Sequence, residues 1–203
     1  MNSVPDFMDV AIIDSGGANL ASLQYALERL GARARVTRDA ALIRSAPRVL
    51  LPGVGSAQAA MRRLQDAQLP ALLPGLTQPV LGICLGMQLL FGTSEEGPTR
   101  CLGVLPDTVR RIPAAPGLPV PHMGWNRLDL RCPDPLLEGI APGEHVYFVH
   151  SFAAAPGPAT LATARYGTDL SAVVRRDNFW GTQFHPERSA RTGARILANF
   201  LRI

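Results

Sequence analysis

Cys84 stands in Gly82-Ile83-Cys84-Leu85-Gly86, directly after an apolar run, and Phe184-His185-Pro186-Glu187 lies far downstream. A thiol, an imidazole and a carboxylate are the groups from which a nucleophile, its base and the base's orienting partner are built. The run 79–83 predicts a buried strand that delivers Cys84 into a tight turn before a helix over 85–91. Glycines two residues to either side of the nucleophile relieve the crowding of such a strand-to-helix elbow. The elbow presents sulfur at the strand's C-terminal end, where the following backbone N–H groups favour a thiolate or an oxyanion. His185 can supply the base and Glu187 can orient it. If the segment is extended, positions two apart project to the same side.

A cysteine in an apolar strand is by itself usually a small buried side chain, and an isolated histidine often caps a turn. The elbow glycines set Cys84 apart from that background, and His-Pro-Glu supplies its missing partners. The agreement of independent elements favours a Cys-His-Glu triad.

Elements that alternate along the first half must position these groups. Apolar residues 10–13 predict a first strand, and Asn19 is placed to cap a helix that runs to about Leu30 and stops at Gly31. Residues 33–37 suit a second strand, and Asp39 opens a short helix. A third strand over 48–51 leads through Pro52-Gly53-Val54-Gly55-Ser56 into a helix ending near Asp66. This alternation predicts an α/β fold with a parallel sheet covered on both faces. Past about residue 97, proline and glycine divide the chain into short segments over 108–111, 125–130, 145–152, 160–166, 172–176 and 179–184. Asp177-Asn178 suits a hairpin turn between the last two, and a helix over about 191–201 closes the chain. One domain is expected, with the reactive groups at the C-terminal edge of the strands.

The chain has 203 residues, of which 47% are hydrophobic, and no apolar stretch has spanning length, so a soluble globular protein is expected. Its start lacks the charged and apolar regions of a secretory signal. Three widely spaced cysteines make a disulfide framework or a zinc site improbable and fit the cytoplasm. The net charge of +4 comes with 20 scattered arginines and no lysine. Nucleic-acid binders concentrate charge in a patch, so no nucleic-acid partner is expected. Without lysine, this chain can supply neither a Schiff-base nucleophile nor a phosphate-loop lysine.

These residues resemble the triad-type, class I glutamine amidotransferases over essentially the whole chain. The resemblance implies a single flavodoxin-like domain over 1–203, with a mainly parallel central sheet flanked by helices and additional antiparallel strands in the C-terminal half. It implies that the N–H groups of Val54 and Leu85 are oxyanion donors. Gly53, Gly55, Gln88, His150, Ser151 and Phe152 would line the pocket for L-glutamine. Cys84-Leu85-Gly86-Met87-Gln88-Leu89-Leu90-Phe91, Ser94-Glu95-Glu96-Gly97, His122-Met123-Gly124-Trp125-Asn126 and Tyr147-Phe148-Val149-His150-Ser151-Phe152 are most similar to one branch, the glutaminase subunits of imidazole glycerol phosphate synthase. That branch implies a heterodimer with a β/α-barrel cyclase subunit, faced by Trp125, Asn126, Tyr147 and Arg188. Neither metal nor cofactor is implied.

Ser15, Ala18, Phe152 and Arg188 depart from the family's usual tyrosine, glycine, tyrosine and lysine, and none touches the expected triad. Other readings stay open at this stage. One is a glutaminase serving pyridoxal-phosphate or anthranilate synthesis. Another is a catalytically silent relative, and a third is a cysteine peptidase.

Overall fold

The computed structural model describes residues 8–16 and 20–203. Asn19, the expected helix cap, and Ala18 lie outside the described residues. The first half alternates as its sequence predicts: β1 (Val10–Ile13), α1 (Leu20–Arg29), β2 (Ala34–Thr37), α2 (Ala40–Ser45), β3 (Val49–Gly53), α3 (Ala57–Asp66), β4 (Val80–Cys84) and α4 (Leu85–Leu89). Asp39 caps α2 by accepting from the N–H groups of Ala41 and Leu42. The second half adds β5 (Thr93–Ser94), β6 (Thr99–Arg100), β7 (Thr108–Arg111), β8 (His122–Arg127), β9 (Asp129–Leu130), β10 (His145–His150), β11 (Phe152–Ala154), β12 (Thr160–Tyr166), β13 (Thr168–Arg176), β14 (Phe179–Thr182) and α5 (Ala190–Phe200).

Eight strands form the main sheet in the order β2-β1-β3-β4-β14-β13-β12-β9. The first five are mutually parallel, and the remainder are antiparallel. Strand alternation splits the core between two faces. Val10, Ile12, Leu50 and Leu81 pack with Leu23 and Leu27 of α1 and with Ile196 and Phe200 of α5. Ala11, Ile13, Val49, Leu51 and Val80 pack with Ile43 of α2 and with Met61 and Leu64 of α3. Both faces of the inner parallel strands β1, β3 and β4 are therefore apolar, which is why these strands read as continuous hydrophobic runs.

The pairing of β14 with β4 matters most for chemistry. It sets Gly181 beside Gly82 and Thr182 beside Ile83, so the segment after β14 emerges next to Cys84. Two smaller sheets flank this edge, an antiparallel ribbon of β10 and β8 and a four-stranded sheet ordered β11-β7-β5-β6.

Several boundaries differ from expectation. The helix after Cys84 ends at Leu89 rather than at residue 91, because Leu90 and Phe91 bond three residues back, to Met87 and Gln88, and tighten the last turn. The 145–152 segment divides at Ser151, whose carbonyl accepts from Ile112, so β10 and β11 serve different sheets. The 125–130 segment likewise divides into β8 and β9 at Leu128, whose N–H turns to Glu144 O. Strand β13 begins at Thr168, four residues before the expected start, because Gly167 at φ +72° closes a tight turn with β12. Asp177, at φ 54°, does turn β13 into β14 as expected.

Candidate active site

Cys84 has φ 54° and ψ −111°, a backbone conformation that a side-chain-bearing residue adopts only under local constraint. Its glycine neighbours account for how the chain tolerates this. A Cβ on Gly86 would stand 1.6 Å from Leu51 O, and one on Gly82 would stand 2.7 Å from Met87 N. Helix α4 thus presses directly onto β3 and β4. Cys84 is 6% exposed, and Leu85, the first residue of α4, carries an N–H with no partner inside the helix.

His185 follows β14 in an extended conformation, but Pro186–Arg188 form a 3-10 turn. This corrects the expectation of an extended His-Pro-Glu segment. The turn, not strand alternation, folds Glu187 back so that its Oε1 lies 2.9 Å from His185 Nδ1. The two side chains are 6% and 2% exposed. Buried Ser189 fixes the turn by donating to His185 O at 2.6 Å and accepting from Tyr147 N at 2.9 Å. His185 N–H in turn donates to Tyr147 O at 3.0 Å, so β10 anchors the backbone of the histidine.

Burial disfavours the imidazolium of His185, but the neighbouring Cys84 sulfur and the Glu187 carboxylate outweigh it and raise the group to about 10. With Nδ1 engaged by Glu187, Nε2 has no hydrogen-bond partner among the described residues and is the atom available to the sulfur and to a reacting group. Sulfur, imidazole and carboxylate are therefore a set suited to nucleophilic attack with proton transfer.

A cavity of about 420 Å³ opens beside Cys84 and His185. Val54, Gly55, Cys84, Leu85 and His185 lie on its reactive side. Gln88, His150, Ser151 and Phe152 complete the expected set. Gly53 is not among the lining residues. It pairs with Cys84 across β3 and β4, and a Cβ there would come within 3.0 Å of Gly86 N, so its role is close packing under the elbow. Gln88 commits its side-chain amine to Phe152 O at 2.7 Å and Gln183 Oε1 at 3.0 Å, which leaves its carbonyl oxygen as the group to offer.

Sequence reasoning missed Glu96, Pro121 and Val149 on the cavity wall and Gln183 beneath it. Glu96 had a signal, since it sits in the Ser94–Gly97 motif, but nothing local revealed that it would cap α3 through Ala57 N at 2.7 Å. Fully buried Gln183 reaches both Gln88 and, at 3.9 Å, Cys84 Sγ, a contact that only the fold creates.

Three of the four residues expected to face a partner cluster together on β8, β10 and the 3-10 turn after His185. Trp125 and Tyr147 meet edge to face at 6.0 Å, and the Arg188 guanidinium lies 5.0 Å over the Tyr147 ring. Met123, 66% exposed on the same face as 53% exposed Trp125, extends this patch and was not anticipated. Asn126 behaves differently. Strand alternation turns it to the opposite face of β8, where its amide bonds His122, Arg165 O and Arg127 N.

A cysteine on a strained elbow at the C-terminal edge of a parallel sheet, facing a His-Glu pair, defines the class of protein. The chain belongs to the class I glutamine amidotransferases, whose family signature matches residues 11–203. Within that class it is similar to subunit HisH of imidazole glycerol phosphate synthase. It is 50% identical to the Shewanella oneidensis HisH, with 100% of both chains covered. To the Xanthomonas oryzae HisH it is 55% identical over 95% of this chain and 96% of the relative. Among solved structures, a glutamine amidotransferase from Thermotoga maritima superposes with a TM-score of 0.64 at 19% identity, covering 92% of this chain and 79% of that one, which establishes common architecture alone.

Proposed function

We propose that this chain is the glutaminase subunit of an imidazole glycerol phosphate synthase, acting in histidine biosynthesis as one domain over 1–203. The observation that carries the reading is the Cys84 elbow set against the His185–Glu187 pair at one wall of the cavity. The Cys84 thiolate attacks the side-chain amide carbon of L-glutamine, and the oxyanion is received by the N–H groups of Val54 and Leu85. The His185 imidazolium protonates the departing nitrogen from Nε2, and ammonia leaves a glutamyl thioester. A water then gives His185 its proton and adds to the thioester, which releases glutamate and restores the thiolate–imidazolium pair. Glu187 holds the imidazole so that Nε2 faces the reaction throughout. Gln88 Oε1 and the Glu96 carboxylate are the acceptors for the substrate's α-ammonium.

Ammonia passes to a separate β/α-barrel cyclase in a cytoplasmic heterodimer, where it serves formation of imidazole glycerol phosphate and aminoimidazole carboxamide ribonucleotide. Support for a docking face comes from the exposed cluster of Met123, Trp125, Tyr147 and Arg188. The planar Arg188 guanidinium suits a partner carboxylate, which it can meet with two hydrogen bonds. Arg188→Ala is expected to weaken coupling and the affinity between the two proteins, with Arg188→Lys intermediate. Titration calorimetry with synthesis assays checks this, and unchanged affinity and coupling in Arg188→Ala would remove the residue from the interface.

The function is tested by measuring glutamate release with and without the cyclase and its nucleotide ligand. Val54 precedes Gly55, at φ +88°, and this peptide can take more than one orientation. Since one oxyanion donor is worth about 100- to 1,000-fold in turnover, stimulation of that order is expected when the liganded partner reorients it. Full activity of the isolated chain, indifferent to partner and ligand, contradicts the coupling. No glutamate release in either setting contradicts the function.

A further inference from the structure

Behind the cavity lies a row of polar groups that the hydrolytic cycle does not use. Asn126 Nδ2 is 3.2 Å from His122 Nε2, His122 Nδ1 is 2.9 Å from His150 Nε2, and His150 Nδ1 is 2.8 Å from Phe152 O. The same Phe152 carbonyl accepts from Gln88 Nε2 at 2.7 Å. Both histidines are buried, and the His122 ring lies between Tyr166 and Phe148, with centroids at 4.0 and 4.8 Å.

The direction of every bond follows from the two ends. Asn126 Oδ1 accepts from Arg127 N and its Nδ2 donates to Arg165 O, which fixes the amide so that Nδ2 is also the donor to His122. His122 Nε2 must then be bare, and Nδ1 carries the proton toward His150. From the other end, a carbonyl can only accept, so His150 Nδ1 carries the proton and its Nε2 is bare. Both ends impose the same tautomers. An added proton on either ring would set two donors against each other. In keeping with this, burial holds both rings far below the usual histidine range, at about 4.

We propose that His122 is a positioning residue for glutamine binding: its Nδ1–H tautomer, set by Asn126, fixes His150, and His150 fixes the Phe152 carbonyl that orients Gln88 in the cavity. The inference rests on the glutaminase reading above. It makes the relay a determinant of substrate affinity, since Gln88 is arranged before glutamine arrives and touches no bond that changes. Loss of such uniform binding raises KM and spares kcat.

Two variants and a spectrum test it in the complete two-subunit enzyme. His122→Phe keeps an aromatic ring between Tyr166 and Phe148 but removes both bonds. Asn126→Asp keeps the side-chain shape but replaces the donor with an acceptor, reversing the relay at its source. Each is expected to raise KM for glutamine about tenfold, the scale of one lost hydrogen bond, with kcat within about twofold. Nitrogen-15 NMR of the wild-type protein at neutral pH is expected to show both rings as neutral Nδ1–H tautomers. His122 in Asn126→Asp is expected to gain a proton at Nε2. Wild-type KM in both variants, or Nε2–H tautomers in the wild type, overturns the proposal. Wild-type enzyme that releases no glutamate overturns the glutaminase reading instead, leaving the NMR result to decide the relay on its own. Should His122→Phe fail to fold, half-exposed Asn126→Asp still gives both readouts.

Discussion

Replacing Cys84 with alanine in the assembled enzyme is expected to abolish synthesis from glutamine while synthesis from an ammonium salt continues largely intact. In the proposed cycle the sulfur forms the one covalent bond to glutamine, and the groups around it are weaker nucleophiles. Gln183 and Gln88 are amides, and Cys101, a buried thiol elsewhere, is pushed up to about 11 by burial and is inert as a nucleophile. On the proposed division of labour, ammonium serves the cyclase half directly and needs none of this machinery. Alanine is tolerated sterically, being smaller than cysteine, although it inherits the φ of 54°. Equal loss with both nitrogen sources, in a variant still bound to its partner, would mean that Cys84 serves the structure or the cyclase and not ammonia release.

The second large effect concerns Glu187. Its carboxylate is 2% exposed and accepts from His185 Nδ1 at 2.9 Å. In Glu187→Gln the same volume carries no charge, and its amide can present N–H to Nδ1, favouring the tautomer with Nε2 already protonated and unable to act as a base. Loss of the correct tautomer in an analogous triad costs about 10⁴ in kcat, and a fall of that order in glutamine-dependent turnover is expected. The pH dependence follows with a definite sign. His185 is raised to about 10 from an ordinary 6.5, against the pull of burial, by Cys84 and Glu187. Because the folded value exceeds the unfolded one, its contribution to stability is complete below pH 6.5 and disappears as pH rises through about 10. Glu187→Gln lowers the folded value and so narrows this window. Denaturant titrations from pH 6 to 10 should show a shallower decline in the variant than in the parent. Parallel profiles, with turnover within tenfold of the parent, would leave Glu187 without the orienting role.

Much of the site is legible in sequence where local chemistry dictates it. The elbow could be read because an apolar strand, a cysteine and two flanking glycines have few other uses together, and Gly86 has no room for a Cβ beside Leu51 O. His185 and Glu187 were legible as partners through proximity alone, although the 3-10 turn that joins them was not. The parallel core could be read because strands buried on both faces leave continuous apolar runs. Contacts made between distant segments left no trace. Gln183 touches Gln88 across 95 residues, and His122 meets His150 across 28. Each reads locally as an ordinary polar residue in a strand-like stretch. Asn126 was assigned to the partner face by its motif, and only the alternation of β8 against β10 reveals that its amide turns inward. The short strands of the C-terminal half misled for a related reason. Where a strand stops depends on which neighbour pairs with it, as at Ser151, and sequence periodicity carries little of that information.

The central claim, that Cys84 is the atom that takes the glutamyl group, is tested most directly by labelling with a glutamine-shaped chloroketone followed by peptide mapping. One label per chain is predicted, on the peptide containing Cys84 and absent from Cys101 and Cys132. Added L-glutamine should slow its formation, and glutamine-dependent synthesis should fall in step with labelling while ammonium-dependent synthesis persists. Undiminished glutamate release from fully labelled Cys84 would contradict the account.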